Sequence, residues 1–423
     1  MNHGWKARFF TIWIGQAFSL FGSSLAGFAL IWWLTEETGS ATVLAIGTLI
    51  TLLPGVVIGP LAGALVDRWN RRTIMIVADT VGALAALTLA LLFWAGAIAV
   101  WQIYLVMLIR SLAGAFHFPA MQASTSLMVP DDQLTRVAGM NHLLQGTSSI
   151  AAPALAALLI AFLPMPAMMM IDVVTALVAV ATLALLQIPQ PVRSSAVQAS
   201  SVAHEMLEGL RYIWRWPGLR AVLLFAAVLN LLLTPAFALL PILVTRHFEG
   251  GALDLAALQA AEGSGIIAGG ILLSVWGGFR RKIMTSIAGL VGLGIGALTV
   301  GLAPAGLMWL ALVGMLIMGF TAPLTNGPFM AIMQTVVRPD MQGRVFTVLG
   351  SITMGIAPLG LAVAGPLADT FGVQAWYLTG AVATFIMLAI FLASPTIMRL
   401  EEHRDSSAAA GESAPTFQKH VVS

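Results

Sequence analysis

Gly63-Ala64-Leu65-Val66-Asp67-Arg68-Trp69-Asn70-Arg71-Arg72 closes one long apolar block and opens another. A glycine four residues before an aspartate permits two helices to approach closely. The aspartate is then placed to meet a helix N-terminus or an arginine of another part of the chain. Arg71 and Arg72 alone would be explained as charges that hold a loop on one side of a membrane. That explanation leaves the Gly63–Asp67 spacing unaccounted for, so the stretch is read as a gate motif made of Gly63, Asp67, Arg68, Arg71 and Arg72.

The blocks on either side set the class. The chain has 423 residues, of which 59% are hydrophobic and 9% charged, and its mean hydropathy is +0.93. Soluble domains are roughly one quarter charged, so a soluble, disordered or disulfide-stapled protein is excluded. Blocks of about 20 apolar residues match the thickness of a bilayer crossed as a helix. Twelve such spans are expected: Phe9–Leu34, Ala41–Val66, Thr73–Trp94, Ile98–Ala120, Gln133–Phe162, Met165–Gln187, Leu219–Val244, Leu253–Trp276, Ile283–Leu302, Ala305–Met333, Val345–Ala368 and Ala375–Ala393. No alternation suggests a barrel, and an open sheet would strand its backbone groups in lipid.

Positive charge orients these spans. Of the 20 Lys and Arg residues, Arg246 falls on one side, Arg110 lies within a span, and the other 18 share the opposite side. Both termini are therefore expected in the cytoplasm of a cell whose inner membrane holds the chain. Lys6 and Arg8 ahead of an apolar run imitate a signal peptide, but the run is too long and further spans follow.

The chain also repeats itself. Arg71-Arg72 recurs as Arg280-Arg281, Pro119 and Met121 as Pro328 and Met330, and Asp132, Arg136 and Val137 as Asp340, Arg344 and Val345. One nearly constant offset over three stretches predicts two six-helix halves, residues 1–187 and 219–394. Residues 188–218 link them. Within the linker, Ala203, Met206, Leu207, Leu210, Ile213 and Trp214 share one face of a helix over Val202–Trp216, a pattern suited to the membrane interface. The polar tail, 395–423, is expected to be disordered.

Charges inside spans are costly unless paired or hydrated. Arg110 is present in one half only, its repeat position being Met318 or Gly319, and this asymmetry favours a functional charge that faces a cavity or a partner. Asp172 and Glu262 each lie about two turns from the outer surface, one per half, and are the candidates for a carboxyl that takes up and releases a proton. Glu262 is the narrower choice because Gly263 and Gly265 beside it admit helices or water. Asp79 sits closer to the gate, where a structural ion pair is the simpler use. Pro153 and Pro358 are expected to kink the fifth and eleventh spans.

Taken together, the gate motif and the membrane-embedded Arg110 followed by Gly114 resemble the major facilitator superfamily along Phe9–Ala393. Asp67-Arg68-Trp69-Asn70-Arg71-Arg72, Ile171-Asp172, Glu208-Gly209-Leu210-Arg211-Tyr212, Gly343-Arg344-Val345-Phe346 and Gly365-Pro366-Leu367-Ala368-Asp369 resemble its macrolide-efflux and enterobactin-exporter branch. The chain departs from the superfamily at Asn70, where a glycine is usual. It departs again at Ala152-Pro153, where proton antiporters carry Gly-Pro.

The resemblance implies an all-α fold of two pseudo-symmetric six-helix bundles that alternate access to a central cavity, coupled to protons. It implies export of an amphipathic molecule, a macrolide-like drug or else a siderophore or lysolipid; a lipid scramblase or a membrane sensor is the non-transporting alternative. Charge-poor spans independently suit a bulky amphipathic substrate. The expected partners are that small molecule, protons and the bilayer, with no nucleic acid, and the chain is read as a monomer. No cofactor or metal is expected. Cysteine is absent, no lysine follows a glycine to make a phosphate-binding loop, and His204-Glu205 lacks the second histidine of a zinc-protease helix. With no nucleophile–base pair either, an enzyme is the least favoured class.

Overall fold

The computed structural model describes residues 4–66, 68–189, 202–338, 341–394 and 398. Over these the chain is helical almost throughout: α1 (Gly4–Thr38), α2 (Ala41–Val66), α3 (Arg71–Trp94), α4 (Val100–Met128), α5 (Asp131–Ile160), α6 (Met165–Leu185), α7 (Val202–Arg215), α8 (Pro217–Ala238), α9 (Leu240–Ile242), α10 (Ala252–Trp276), α11 (Lys282–Leu302), α12 (Met308–Val336), α13 (Gln342–Phe371) and α14 (Val373–Ala393). Among the described residues, twelve helices are long and apolar enough to cross a membrane. This is a multi-pass membrane protein. The central part of the linker and nearly all of the tail lie outside the described residues.

Local chemistry sets the helix ends. Asn70, the departure noted in the gate motif, caps α3: its side-chain oxygen accepts the Thr73 N–H at 3.2 Å. Trp216 interrupts the helical run, and Pro217 then supplies the first residue of α8, where its missing N–H costs nothing.

Two expected boundaries are wrong. The fourth span does not stop at Ala120 but runs through Pro119 to Met128. Its continuation buries Ala120, Ser124 and Met128 against α3, with Ser124 Oγ 4.0 Å from Met75 Sδ, and this packing offsets the one ladder bond that proline removes. The seventh span is not continuous either. Helix α8 ends at Ala238, soon after Pro235, and the chain proceeds through the single turn of α9 into a π-helical turn, Leu243–His247.

The helix contacts follow one pattern in the two sets of six. In the first half α1 meets α5 and α6, α3 meets α4 and α6, and α2 meets α4. In the second, α8 meets α13 and α14, α11 meets α12 and α14, and α10 meets α12. Each pair has its counterpart in the other half. The halves meet through α2 against α13 and α5 against α10, two contacts related by the same exchange. Exposed Trp94, Trp101 and Trp309 lie at one level of the bundle, and exposed Trp69, Trp214 and Trp276 at the other, as aromatic belts at two bilayer surfaces do.

The linker helix α7 docks on the second half. Ile213 is buried, and Glu208 pairs with Arg344 of α13 at 2.8 Å. Exposed Leu207 and Trp214 remain on its outer face.

Candidate functional site

A cavity of about 730 Å³ opens among α1, α3, α4, α5 and α6, and among the described residues every side chain lining it belongs to the first half. It reaches Gln122, Thr125 and Ser126 near the end of α4 and Leu134 near the start of α5. That is the end of the bundle carrying the arginine-rich loops, called here the basic end.

Two polar clusters line it. In the first, Arg110 of α4 pairs through Nη1 with Asp172 Oδ2 of α6. Ser23 of α1 donates to Asp172 Oδ1 at 2.8 Å. Asp172 is 2% exposed, so its charge is tolerable only because both oxygens are engaged. Arg110 thus lines the cavity and has a partner, and the two residues singled out separately in the sequence form one unit. Gly114, one turn beyond Arg110, lines the same cavity.

The second cluster holds Asp79 of α3, which the sequence had suggested as a structural charge beside the gate. It lines the cavity instead. Gln16 Nε2 donates to Asp79 Oδ2 at 2.8 Å, while Asp79 Oδ1 faces His117 Nε2 of α4 at 3.3 Å. That nitrogen is sealed from water and out of line for a hydrogen bond. Sequence reading missed His117, Gln16 and Ser23. The available signal was helical spacing: Arg110, Ala113, Gly114 and His117 fall at i, i+3, i+4 and i+7, one face of α4.

Among the described residues the second half has no matching buried pair. The place corresponding to Arg110 is Gly319, where α12 presses against α10. A Cβ there would sit 2.0 Å from the Glu262 carbonyl oxygen, so no side chain fits. Glu262 itself is half-buried on α10 and does not line the cavity. Among the described residues its carboxyl makes no hydrogen bond or ion pair. Gly263 beside it admits a helix, as expected, since its missing side chain gives way to Ile150 of α5.

Of the gate motif, Asp67 lies outside the described residues. Gly63 makes no close helix contact, since a Cβ there would have nothing within 4 Å. Arg68 is exposed. Arg71 Nη1 donates to the Ala123 carbonyl of α4 at 2.8 Å. Arg72 donates to the Leu183 and Ala184 carbonyls at the end of α6, at 2.6 and 2.5 Å. Both arginines thus satisfy carbonyls of their own half, and those of α6 are the unpaired groups of a helix C-terminus. Helices α5 and α13 continue through Pro153 and Pro358.

At the end opposite the basic loops the two halves are fastened together. Asp369, near the end of α13, accepts the Ala41 and Thr42 backbone N–H groups at the start of α2, at 2.8 and 3.0 Å. It also accepts the hydroxyls of Thr42 and Ser40 at 2.7 and 3.0 Å. Arg246 stands 3.6 Å away. Gly365, one turn earlier, lets α13 this close, because a Cβ would lie 2.8 Å from Thr42 Cα. Among the described residues no group of three or more His, Asp or Glu is disposed to hold a metal ion.

Comparison with known proteins gives consistent matches. The profile of the Major Facilitator Superfamily matches residues 12–361. Macrolide efflux protein A of Streptococcus pyogenes is 36% identical over 402 residues, 95% of this chain and 98% of that protein. Multidrug efflux pump Tap of Mycolicibacterium fortuitum is 27% identical over 398 residues, 90% and 94% of the two chains. In fold, the chain is similar to a bacterial homolog of the human lysosomal transporter Spinster, solved in an inward-facing and unoccupied conformation. That match has a TM-score of 0.70 and 14% identity, covering 96% of this chain and 99% of that one.

Proposed function

Because the chain belongs to the Major Facilitator Superfamily, we propose that it exports an amphipathic small molecule of the macrolide kind from the cytoplasm, in exchange for protons, by alternating access. The observation that carries this reading is the one-sided cavity. Its volume suits a large molecule, and its wall sets apolar side chains such as Trp13, Leu20, Phe118 and Met121 beside polar ones such as Gln16, Asn141 and Gln145, as an amphipathic substrate needs. The relatives named for macrolide and multidrug efflux support the direction and the substrate class.

In this reading the basic end faces the cytoplasm, following the positive-inside rule. The cavity fills from there while Asp369 and α2 hold the other end shut. The Arg110–Asp172 pair serves binding and coupling, since it is a charge pair inside the membrane at the wall of the cavity. Among the described residues the Glu262 carboxyl makes no hydrogen bond or ion pair, and it lies close to the contact between halves, at Gly263 against α5. It is the carboxyl of the second half whose protonation changes as the halves move.

The test is a susceptibility panel in a pump-deficient bacterium expressing the protein, with membrane insertion verified. Raised resistance to erythromycin or another macrolide is the expected result. Unchanged susceptibility to every macrolide and lipophilic cation, with the protein in the membrane, would refute drug export and turn attention to siderophores or lysolipids.

A further inference from the structure

We propose that Asp79 and His117 form the site at which a proton and the cationic group of the substrate replace one another. The inference rests on the export reading and names the substrate's charge.

The argument begins with the charges in the cavity. The titratable and charged groups lining it are Asp79 on α3, Arg110 and His117 on α4, His142 on α5 and Asp172 on α6; α1 contributes neutral Gln16 and Ser23. Arg110 and Asp172 cancel, and Ser23 completes their hydrogen bonding. Separating that pair would leave an uncompensated buried charge. Asp79 is different. Gln16 satisfies one of its oxygens without neutralising it, and among the described residues the other oxygen is paired with His117 Nε2 alone.

The pair therefore has two states that differ by one proton. With the proton held, Asp79 and His117 together are neutral and the cavity has no net charge. Once the proton leaves, Asp79 gives the cavity one negative charge in a largely apolar wall. An ammonium group entering the cavity supplies the missing positive charge, and its apolar remainder occupies the space beside Phe118 and Met121. Histidine suits the role because an imidazole can face a carboxylate both with and without the extra proton. The burial of Nε2 also keeps water from substituting for Asp79. A purely structural carboxylate–imidazole contact needs no cavity beside it, and this contact faces one.

The test uses the full chain, purified, with tetraphenylphosphonium and erythromycin as probes. Tetraphenylphosphonium has a permanent charge and no proton of its own, so any pH dependence of its binding belongs to the protein. Displacement of one proton should raise wild-type affinity with rising pH, by up to about tenfold per pH unit, and release about one proton per probe bound in weak buffer. Asp79→Asn and His117→Gln should flatten that dependence, and Asp79→Glu should restore it. A wild-type protein that binds probe without releasing a proton overturns the inference, whether or not any variant folds. Unaltered slopes in folded Asp79→Asn and His117→Gln do the same. Failure of wild type to bind either probe, together with no resistance in cells, removes the export reading and the inference with it. Resistance and binding without proton release remove the inference alone.

Discussion

Asp369 and Thr42, 327 residues apart in sequence, share two hydrogen bonds across the junction of the halves, one to the backbone N–H at 3.0 Å and one to the hydroxyl at 2.7 Å. A carboxylate from α13 thereby occupies the capping position of α2. Removing it with Asp369→Ala strands the N–H groups of Ala41 and Thr42 and should cost about 1 kcal/mol, the usual worth of such a cap. That shifts the balance between conformations roughly fivefold toward one open at this end. Asp369→Asn, which still caps, should shift it less. Cysteines introduced near Ser40 in a chain with none of its own should label faster from outside the cell in the alanine variant. Equal labelling rates in both variants and wild type would refute the role of this contact.

The Arg110–Asp172 pair makes a second prediction. Arg110→Ala leaves a 2%-exposed carboxylate with only Ser23, and should lower stability by roughly 3 kcal/mol. Asp172→Asn added to it should recover much of that loss without recovering transport. Arg110→Lys keeps the charge but not the planar fork, so it should insert normally and transport poorly. Thermal melts and vesicle transport on the same four proteins check this, and wild-type transport by a stable Arg110→Ala protein would contradict it.

The gate stretch divides into two kinds of residue. Arg72 holds the terminal carbonyls of α6, so Arg72→Ala should act on stability, at about 1–3 kcal/mol for the lost charged hydrogen bonds. Asp67→Asn should instead cut transport with little change in melting temperature, and should alter cysteine labelling at the basic end. Full transport with unchanged labelling in Asp67→Asn would leave the motif without a gating role.

Glu262→Gln tests coupling in the second half. In vesicles with an imposed pH gradient it should abolish uphill transport of erythromycin while sparing downhill exchange. If Glu262→Gln and Asp172→Asn both retain full uphill transport, neither carboxyl couples.

Most helix positions were legible because lipid leaves the backbone so few options: an apolar run of the right length must be a helix, and α2 begins and ends where the apolar block does. The end of α4 was not, because Pro119 reads as a stop and only the packing of Ala120 and Ser124 against α3 overrides it. Charges inside spans announced Arg110 and Asp172 individually, since their cost is local. Their pairing was hidden, because hydropathy says nothing about which helix faces which. His117 was passed over for a related reason. Neutral imidazole is cheap enough in a span to raise no alarm until Asp79 is seen beside it. Asp369 lay in a stretch noted for resemblance, but its work on α2 depends on how the halves meet.

The packing of Gly319 against Glu262 bears on how this scaffold can diverge. A duplicated bundle begins with two equal sets of surfaces, and here one set has hardened into backbone contact, with Gly265 and Gly269 of α10 pressed on Leu316 and Phe320 of α12. A methyl group at any of these sites collides with main chain, so the second bundle tolerates little experiment in its interior. The first bundle, with its walls standing off around open space, tolerates a great deal. Under antibiotic selection, substitutions that change which compound is expelled should accumulate in α1 and α3–α6, and those recovered from α10 and α12 should mostly be losses.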